Sequence, residues 1–181
     1  MPTAPISRPR VYSAPGTPWA GLARPLQNDG GNTFSYGQFV VLTAGALAAY
    51  AADGTAVYGL TVDPSHTATE EAYSSPYGEL HNCINPSGQL FLMNITDASG
   101  TVGSGSTTQG NVAIGTRYSG TYLASQDTGA VGIDAADSGT AAKNMFQVVD
   151  LYQKGTKYPD GDLVGDFNGR VLVKIIDSAI Q

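Results

Sequence analysis

Only one cysteine, Cys83, occurs in 181 residues. That excludes an internal disulfide framework and a multi-cysteine metal site, and it fits synthesis in a reducing compartment. Charge is also scarce. Asp, Glu, Lys and Arg make up 13% of the chain, against roughly 25% in ordinary soluble domains. Helices lean on Glu, Lys, Leu and Arg, so their scarcity argues against a helical bundle. No stretch approaches the roughly 20 apolar residues of a membrane span, and no membrane association is expected. The opening Met1-Pro2-Thr3-Ala4-Pro5-Ile6-Ser7-Arg8-Pro9-Arg10 lacks the apolar core of a signal peptide. The Asn94-Ile95-Thr96 sequon is therefore not expected to be glycosylated. The net charge of −6 and pI of about 4.6 oppose non-specific nucleic-acid binding, which needs clustered Lys and Arg.

What the chain does have is 23 glycines and 10 prolines, with abundant Thr, Val and Tyr. Thr, Val and Tyr favour strands, and Gly with Asn or Asp favours the turns between them. Six of the prolines (Pro2, Pro5, Pro9, Pro15, Pro18 and Pro25) fall in residues 1–26. Proline fixes φ and removes a backbone donor, so this segment is expected to be extended and largely outside any sheet. Such composition fits a disordered tail or an arm that orders on a partner. Val11, Tyr12, Leu22 and the only tryptophan, Trp19, favour the arm, because Trp, Tyr and Arg are typical interface anchors. Arg8, Arg10 and Arg24 complete the candidate partner-binding set. Three arginines and no acid give the arm +3; six bases against fifteen acids give residues 27–181 a charge of −9. A basic arm and an acidic body suit contact with an acidic protein surface, including that of a sister subunit.

The body, 27–181, reads as about ten short strands separated by Gly-rich turns, hence all-β, a compact β-barrel or sandwich with an extended N-terminal arm. Strands are expected at Phe39–Thr43, Ala46–Ala51, Ala56–Val62, Gln89–Thr96, Asn111–Gly115, Thr121–Ala124, Met145–Tyr152 and Arg170–Asp177. Asp53-Gly54 is the best hairpin signal. Asp63–Ser87 reads as a polar excursion with a short helix near Thr69–Tyr73. Asp97–Gly110 reads as a mobile loop or hairpin tip, and Ala124–Ala142 as another loop region.

Catalytic motifs are thin. Asp127-Thr128-Gly129-Ala130 copies the Asp-Thr-Gly of aspartic proteases, and Asp137-Ser138-Gly139 follows, so two carboxylates sharing a proton could activate water. Polar Ser125-Gln126 precedes the motif where those enzymes have apolar strand residues, and ten residues is too close for two lobes; a turn explains it better. Asp160 to Gly169 resembles a calcium loop, with Asp160, Asp162 and Gly165 in place. Val164 and Val171 stand where ligands are needed, so turn chemistry again explains it better. His66, Glu70, Glu71, His81 and Cys83 group nitrogen and soft ligands with acids, but nothing makes three or four converge. Gly103-Ser104-Gly105-Ser106-Thr107-Thr108 lacks the lysine of a phosphate loop. No enzyme activity, metal or cofactor is expected.

Tyr36-Gly37-Gln38-Phe39-Val40-Val41-Leu42, then Ala46 to Ala52, then Asp53-Gly54-Thr55-Ala56-Val57-Tyr58-Gly59-Leu60-Thr61-Val62 resembles the layout of small capsid decoration (cement, head-stabilising) proteins of tailed bacteriophages. The ending Asp166-Phe167-Asn168-Gly169-Arg170-Val171-Leu172-Val173-Lys174-Ile175-Ile176 is similar to the closing strand of phage virion proteins. The resemblance implies a compact, β-tulip-like body on the outer capsid surface that bridges capsomers, with an arm that adds to a partner's sheet. It implies the major capsid protein as partner, self-association as trimers or dimers, and a virion location after synthesis in the host cytoplasm. The alternative is another virion β protein, a tail or fibre component or a glycan-binding module, with the tyrosines lining a sugar platform.

Overall fold

The computed structural model describes residues 3–4, 8–12, 23–27, 34, 37–44, 46–61, 80–101, 103, 105–123 and 130–176. Trp19, Leu22, His66, Glu70, Glu71, Asp127 and the helix expected near 69–73 lie outside them. Among the described residues the structure is all-β, with two single turns of 3-10 helix, Gly105–Thr107 and Gln109–Asn111. No helix there is long and apolar enough to cross a membrane.

The described residues form eleven strands: β1 Arg10–Val11, β2 Ala23–Gln27, β3 Phe39–Thr43, β4 Ala46–Ala49, β5 Gly59–Thr61, β6 Leu80–Ile84, β7 Phe91–Thr96, β8 Arg117–Tyr122, β9 Val131–Ser138, β10 Phe146–Leu151 and β11 Arg170–Ile175. They form two sheets. In the first, β7, β11, β10, β8 and β9 pair in that order, and β9 returns to β7 through a parallel ladder, Ile95↔Ile133 and Thr96↔Asp134. This closes a five-stranded barrel, with β1 added to β7 outside the ring. The second sheet runs β2-β6-β5-β3-β4.

The period-2 alternation of strands explains why these sheets meet. Along β7, Phe91, Met93 and Ile95 enter one core, while Leu92 points to a different cluster on the other face. The main core joins those residues to Ile133, Phe146 and Val171 of the barrel and to Phe39, Tyr50 and Leu60 of the second sheet. At its centre Phe39 meets Phe91 edge-on, ring centroids 5.3 Å apart, and lies 5.6 Å from Phe146. The two layers are also tied by backbone: Asp53 N–H donates to the Gly120 carbonyl at 2.9 Å.

Several expectations need correction. Parts of residues 1–26 enter the sheets: among the described residues β1 pairs with β7 and β2, Pro25 included, pairs with β6. Proline is tolerated on β2 because β2 is an edge strand. Asp53 does turn the chain, at φ +56, but β4 and β5 flank β3 and do not pair with each other. The Asp63–Ser87 excursion contains β6, and the Ala124–Ala142 loop contains β9. Val131, Gly132, Ile133 and Asp134 are all buried; small and acidic neighbours hide that strand from a hydrophobicity reading. Asn111–Gly115 is no strand, its start being the second 3-10 turn. Within 97–110 the two turns bury Thr107 and Gln109, and Gln109 Nε2 donates to the Arg170 carbonyl at 2.7 Å.

Gly120 sits where the β8–β9 register shifts. A Cβ there would lie 2.6 Å from Phe146 Cε2 and 2.9 Å from Tyr50 Oη. Gly120→Ala should therefore force the central rings apart and cost about 1–3 kcal/mol, read as a lowered urea midpoint at unchanged m-value. An unchanged midpoint would contradict this packing.

Candidate docking site of the N-terminal arm

The arm lies along the barrel. Thr3 forms a parallel bridge to Phe167, and Ala4 N–H donates to the Phe167 carbonyl at 2.8 Å. Pro9 is buried, and its carbonyl comes within 3.0 Å of where a Cβ on Gly37 would sit; with φ +73, Gly37 has no substitute there. Arg10 then pairs with Leu92 and Val11 with Phe91, and Tyr12 N–H donates to the Leu90 carbonyl at 2.7 Å. β9 pairs with β7 only at Ile95 and Thr96. The arm thus takes the ladder positions that the barrel leaves at the start of β7.

Tyr12 anchors this register. Its ring stands edge-on to Tyr152 and Tyr158, 6.0 Å from each, and those two rings lie 4.8 Å apart. Such geometry adds about 0.5–1.5 kcal/mol per pair beyond area burial. The seat is itself held by polar partners. Tyr152 Oη donates to Asp160 Oδ1 and Tyr158 Oη to Asp150 Oδ2, each at 2.6 Å. Lys157 pairs with Asp150 and lies over the Tyr158 ring. The Arg170 guanidinium sits 4.9 Å from the Tyr152 ring centroid and is paired with buried Asp162 at 2.7 Å.

These contacts shift the titrations. Burial, then the hydrogen bond to Asp160, pushes Tyr152 up to about 12. Burial and Asp150 raise Tyr158. Burial works to raise Asp150, but hydrogen bonds from Lys157 and Tyr158 outweigh it and hold the carboxyl below the usual range. The Tyr152 hydrogen bond lowers Asp160, with Arg170 and Arg10 adding to it. Arg10 of the arm is thus electrostatically favourable to the acid of the seat. Beside Tyr12 runs a groove of about 300 Å³ walled by Leu90, Leu172, Val149 and Tyr158, with Asp150 and Lys157 on its lining.

Of the residues expected to bind a partner, Val11 packs against the main core and Tyr12 against the tyrosines. Arg10 is exposed and Arg8 half-buried. Arg24 lies opposite Cys83 in the β2–β6 ladder, a different sheet from Tyr12. The structure therefore brings Arg10, Val11 and Tyr12 together and leaves Arg24 apart. The seat residues Tyr152, Tyr158, Asp150 and Asp160 were missed in sequence; the pair of tyrosines six apart, each with an acid close by, was the available signal.

The acids of the calcium-like loop lie among the described residues. Asp162 accepts from Arg170 N at 2.6 Å and from its guanidinium, and Asp166 Oδ2 accepts from Leu163 N at 2.9 Å. With Asp160 on Tyr152, the three acids of the calcium-like loop are each engaged by protein donors. Among the described residues no group of three or more His, Cys, Asp or Glu is arranged to hold a metal. Asp137 pairs with Lys143, and that hydrogen bond lowers its carboxyl.

Because Asp150 titrates lower folded than unfolded, its contribution is complete above the ordinary Asp value of about 4 and fades as pH falls through the lower folded value. Acid unfolding followed by near-UV tyrosine dichroism should show wild type losing stability more steeply below about pH 4 than Asp150→Asn. Equal slopes would mean that Asp150 does not support the seat.

No protein-family model, no curated protein and no solved structure matches this chain.

Proposed function

We propose that this chain is a non-enzymatic structural protein that binds the outer surface of a tailed-phage capsid and stabilises the shell by bridging neighbouring capsomers. The observation that carries the reading is the arm: an extended N-terminal segment that adds to a sheet edge by main-chain hydrogen bonds and fixes its register with one aromatic anchor. That is the chemistry of strand-addition binding. Its cationic character against an anionic body supports attachment to acidic protein, and repetition over a shell multiplies modest contacts. The sequence layout of β3 to β5 and of β11 is the second support.

Deleting residues 1–26 would be a poor test, because it removes β2 from the second sheet. The full-length double variant Arg10→Glu, Tyr12→Ala leaves β2 to β11 unsubstituted. It should bind expanded capsids of the phage that encodes the chain at least about tenfold more weakly, the loss of one anchor worth ~1.4 kcal/mol or more. Binding equal to wild type, by co-sedimentation, would overturn the arm's role in attachment.

One observation favours a second reading, a glycan-binding module of a tail or fibre: the groove beside Tyr12 combines aromatic walls with an acid and a lysine. A glycan array would then give hits that Tyr158→Ala and Asp150→Ala both abolish, with no capsid binding. An array without hits would remove this reading.

A further inference from the structure

The turn that follows β10 presses two tyrosine rings together. Gln153 bridges to Asp162, and the Tyr152 carbonyl accepts from Asp162 N–H at 2.8 Å. The Tyr158 carbonyl accepts from Gly155 and Gly161 N–H at 3.1 and 3.0 Å. A Cβ on Gly161 would lie 2.5 Å from the Gln153 carbonyl carbon, so the turn closes this tightly only with glycine there. The backbone thus folds Tyr158 back onto Tyr152, with ring centroids 4.8 Å apart and planes 37° from parallel. Both residues are buried. Each phenol has its own carboxylate: Tyr152 donates to Asp160 and Tyr158 to Asp150, both at 2.6 Å. A buried phenol needs an acceptor, and a backbone carbonyl serves that need elsewhere in the fold: Tyr50 donates to the Gly54 carbonyl and Tyr122 to the Tyr50 carbonyl. A carboxylate does more, because it is a base that takes the proton.

We propose that Tyr152 and Tyr158 form an oxidative cross-linking site, at which a one-electron oxidant such as the carbonate radical couples the two rings into dityrosine. Loss of an electron makes a phenol strongly acidic, so the step is easy only where its proton leaves at once. A base within hydrogen-bond reach provides that route. One oxidant equivalent takes an electron from Tyr158 as the phenolic proton passes to Asp150 Oδ2. A second takes an electron from Tyr152 as its proton passes to Asp160 Oδ1. The two neutral phenoxyl radicals join through ring carbons ortho to oxygen. The hydrogen on each joined carbon then shifts to the ring's oxygen and restores the phenol. Two electrons have gone to the oxidant, and two protons to the carboxylates, which release them to solvent. Coupling is favoured because the rings are already in contact; well-oriented held groups react with effective molarities on the order of 10⁵ M or more. Tyr12 stands edge-on, 6.0 Å from both rings, and is half-buried. It is the ring at which an oxidant in solution meets the cluster, and the buried pair behind it is where the bond forms. The product fixes the seat of Tyr12 covalently in its folded arrangement.

The inference is independent of the capsid reading and is tested on the full chain alone. Dilute protein is illuminated near neutral pH with tris(bipyridyl)ruthenium(II) and persulfate, a source of one-electron oxidant, and dityrosine fluorescence is followed. Trypsin cuts after Lys143, Lys154, Lys157 and Arg170, so a Tyr152–Tyr158 bond joins peptides 144–154 and 158–170, a product that mass spectrometry reads directly. This joined pair is expected as the main dityrosine product of the monomeric fraction. Tyr158→Phe should abolish it. Asp150→Asn and Asp160→Asn each keep an acceptor oxygen and lose the base, so each should slow formation of the joined pair several-fold, with near-UV dichroism before illumination reporting that the seat is intact. Main cross-links at other tyrosines in the wild-type chain, Tyr12 included, would overturn the proposal. So would Asn variants with an intact seat that couple at the wild-type rate.

Discussion

A strand buried along its length cannot leave backbone donors and acceptors unpaired without a cost of about 1–3 kcal/mol for each, and β7 is buried at all six positions. One of its edges is satisfied by β11 over Arg170↔Asn94 to Val173↔Phe91. The other is divided. β9 arrives in parallel and reaches only Ile95 and Thr96, while β1 pairs with Leu92 and Phe91. Closing the barrel by a parallel strand that enters late thus creates a need at the start of β7, and the arm meets it. The arm's position follows from the barrel's geometry before any partner is considered.

A second constraint fixes the seat that receives Tyr12. Arg170 and Asp162 form a buried pair with the carboxylate bridging guanidinium and backbone. Removing one partner of such a pair typically costs about 3–5 kcal/mol, because the other charge is left uncompensated. The guanidinium lies against Tyr152, and Asn168, at φ +53, bonds across to the Ile95 carbonyl at 2.9 Å. The segment 160–170 therefore spends its acids on holding β11 and the tyrosine seat in place.

The all-β class was legible because composition and glycine spacing are averages over the whole chain. Strands with branched or aromatic runs, β3, β7, β10 and β11, were legible within a residue or two for the same reason. β9 was not: Asp134 lies among its four buried residues, and burial of short side chains depends on what packs opposite them. β6 was not, because His81 and Asn82 read as loop until β2 and β5 flank them. The partner order β5-β3-β4 could not be read from the Asp53-Gly54 turn, since a turn fixes a reversal and tertiary packing chooses the neighbour. Tyr12 and Val11 were legible as anchors. Their seat was not, because Tyr152, Tyr158 and Leu92 converge only once β7, β10 and β11 are side by side.

The described part of the arm is held by a two-residue ladder, by the Ala4 bond to Phe167, by the seating of Pro9 on Gly37 and by one aromatic anchor. A two-residue strand with about 1 kcal/mol per hydrogen bond net and two edge-on ring contacts of about 0.5–1.5 kcal/mol each gains only a few kcal/mol before the entropy of ordering residues 3–12 is subtracted. The barrel and the second sheet together form the main core, and the arm adds Val11 to it and Tyr12 to the tyrosine seat.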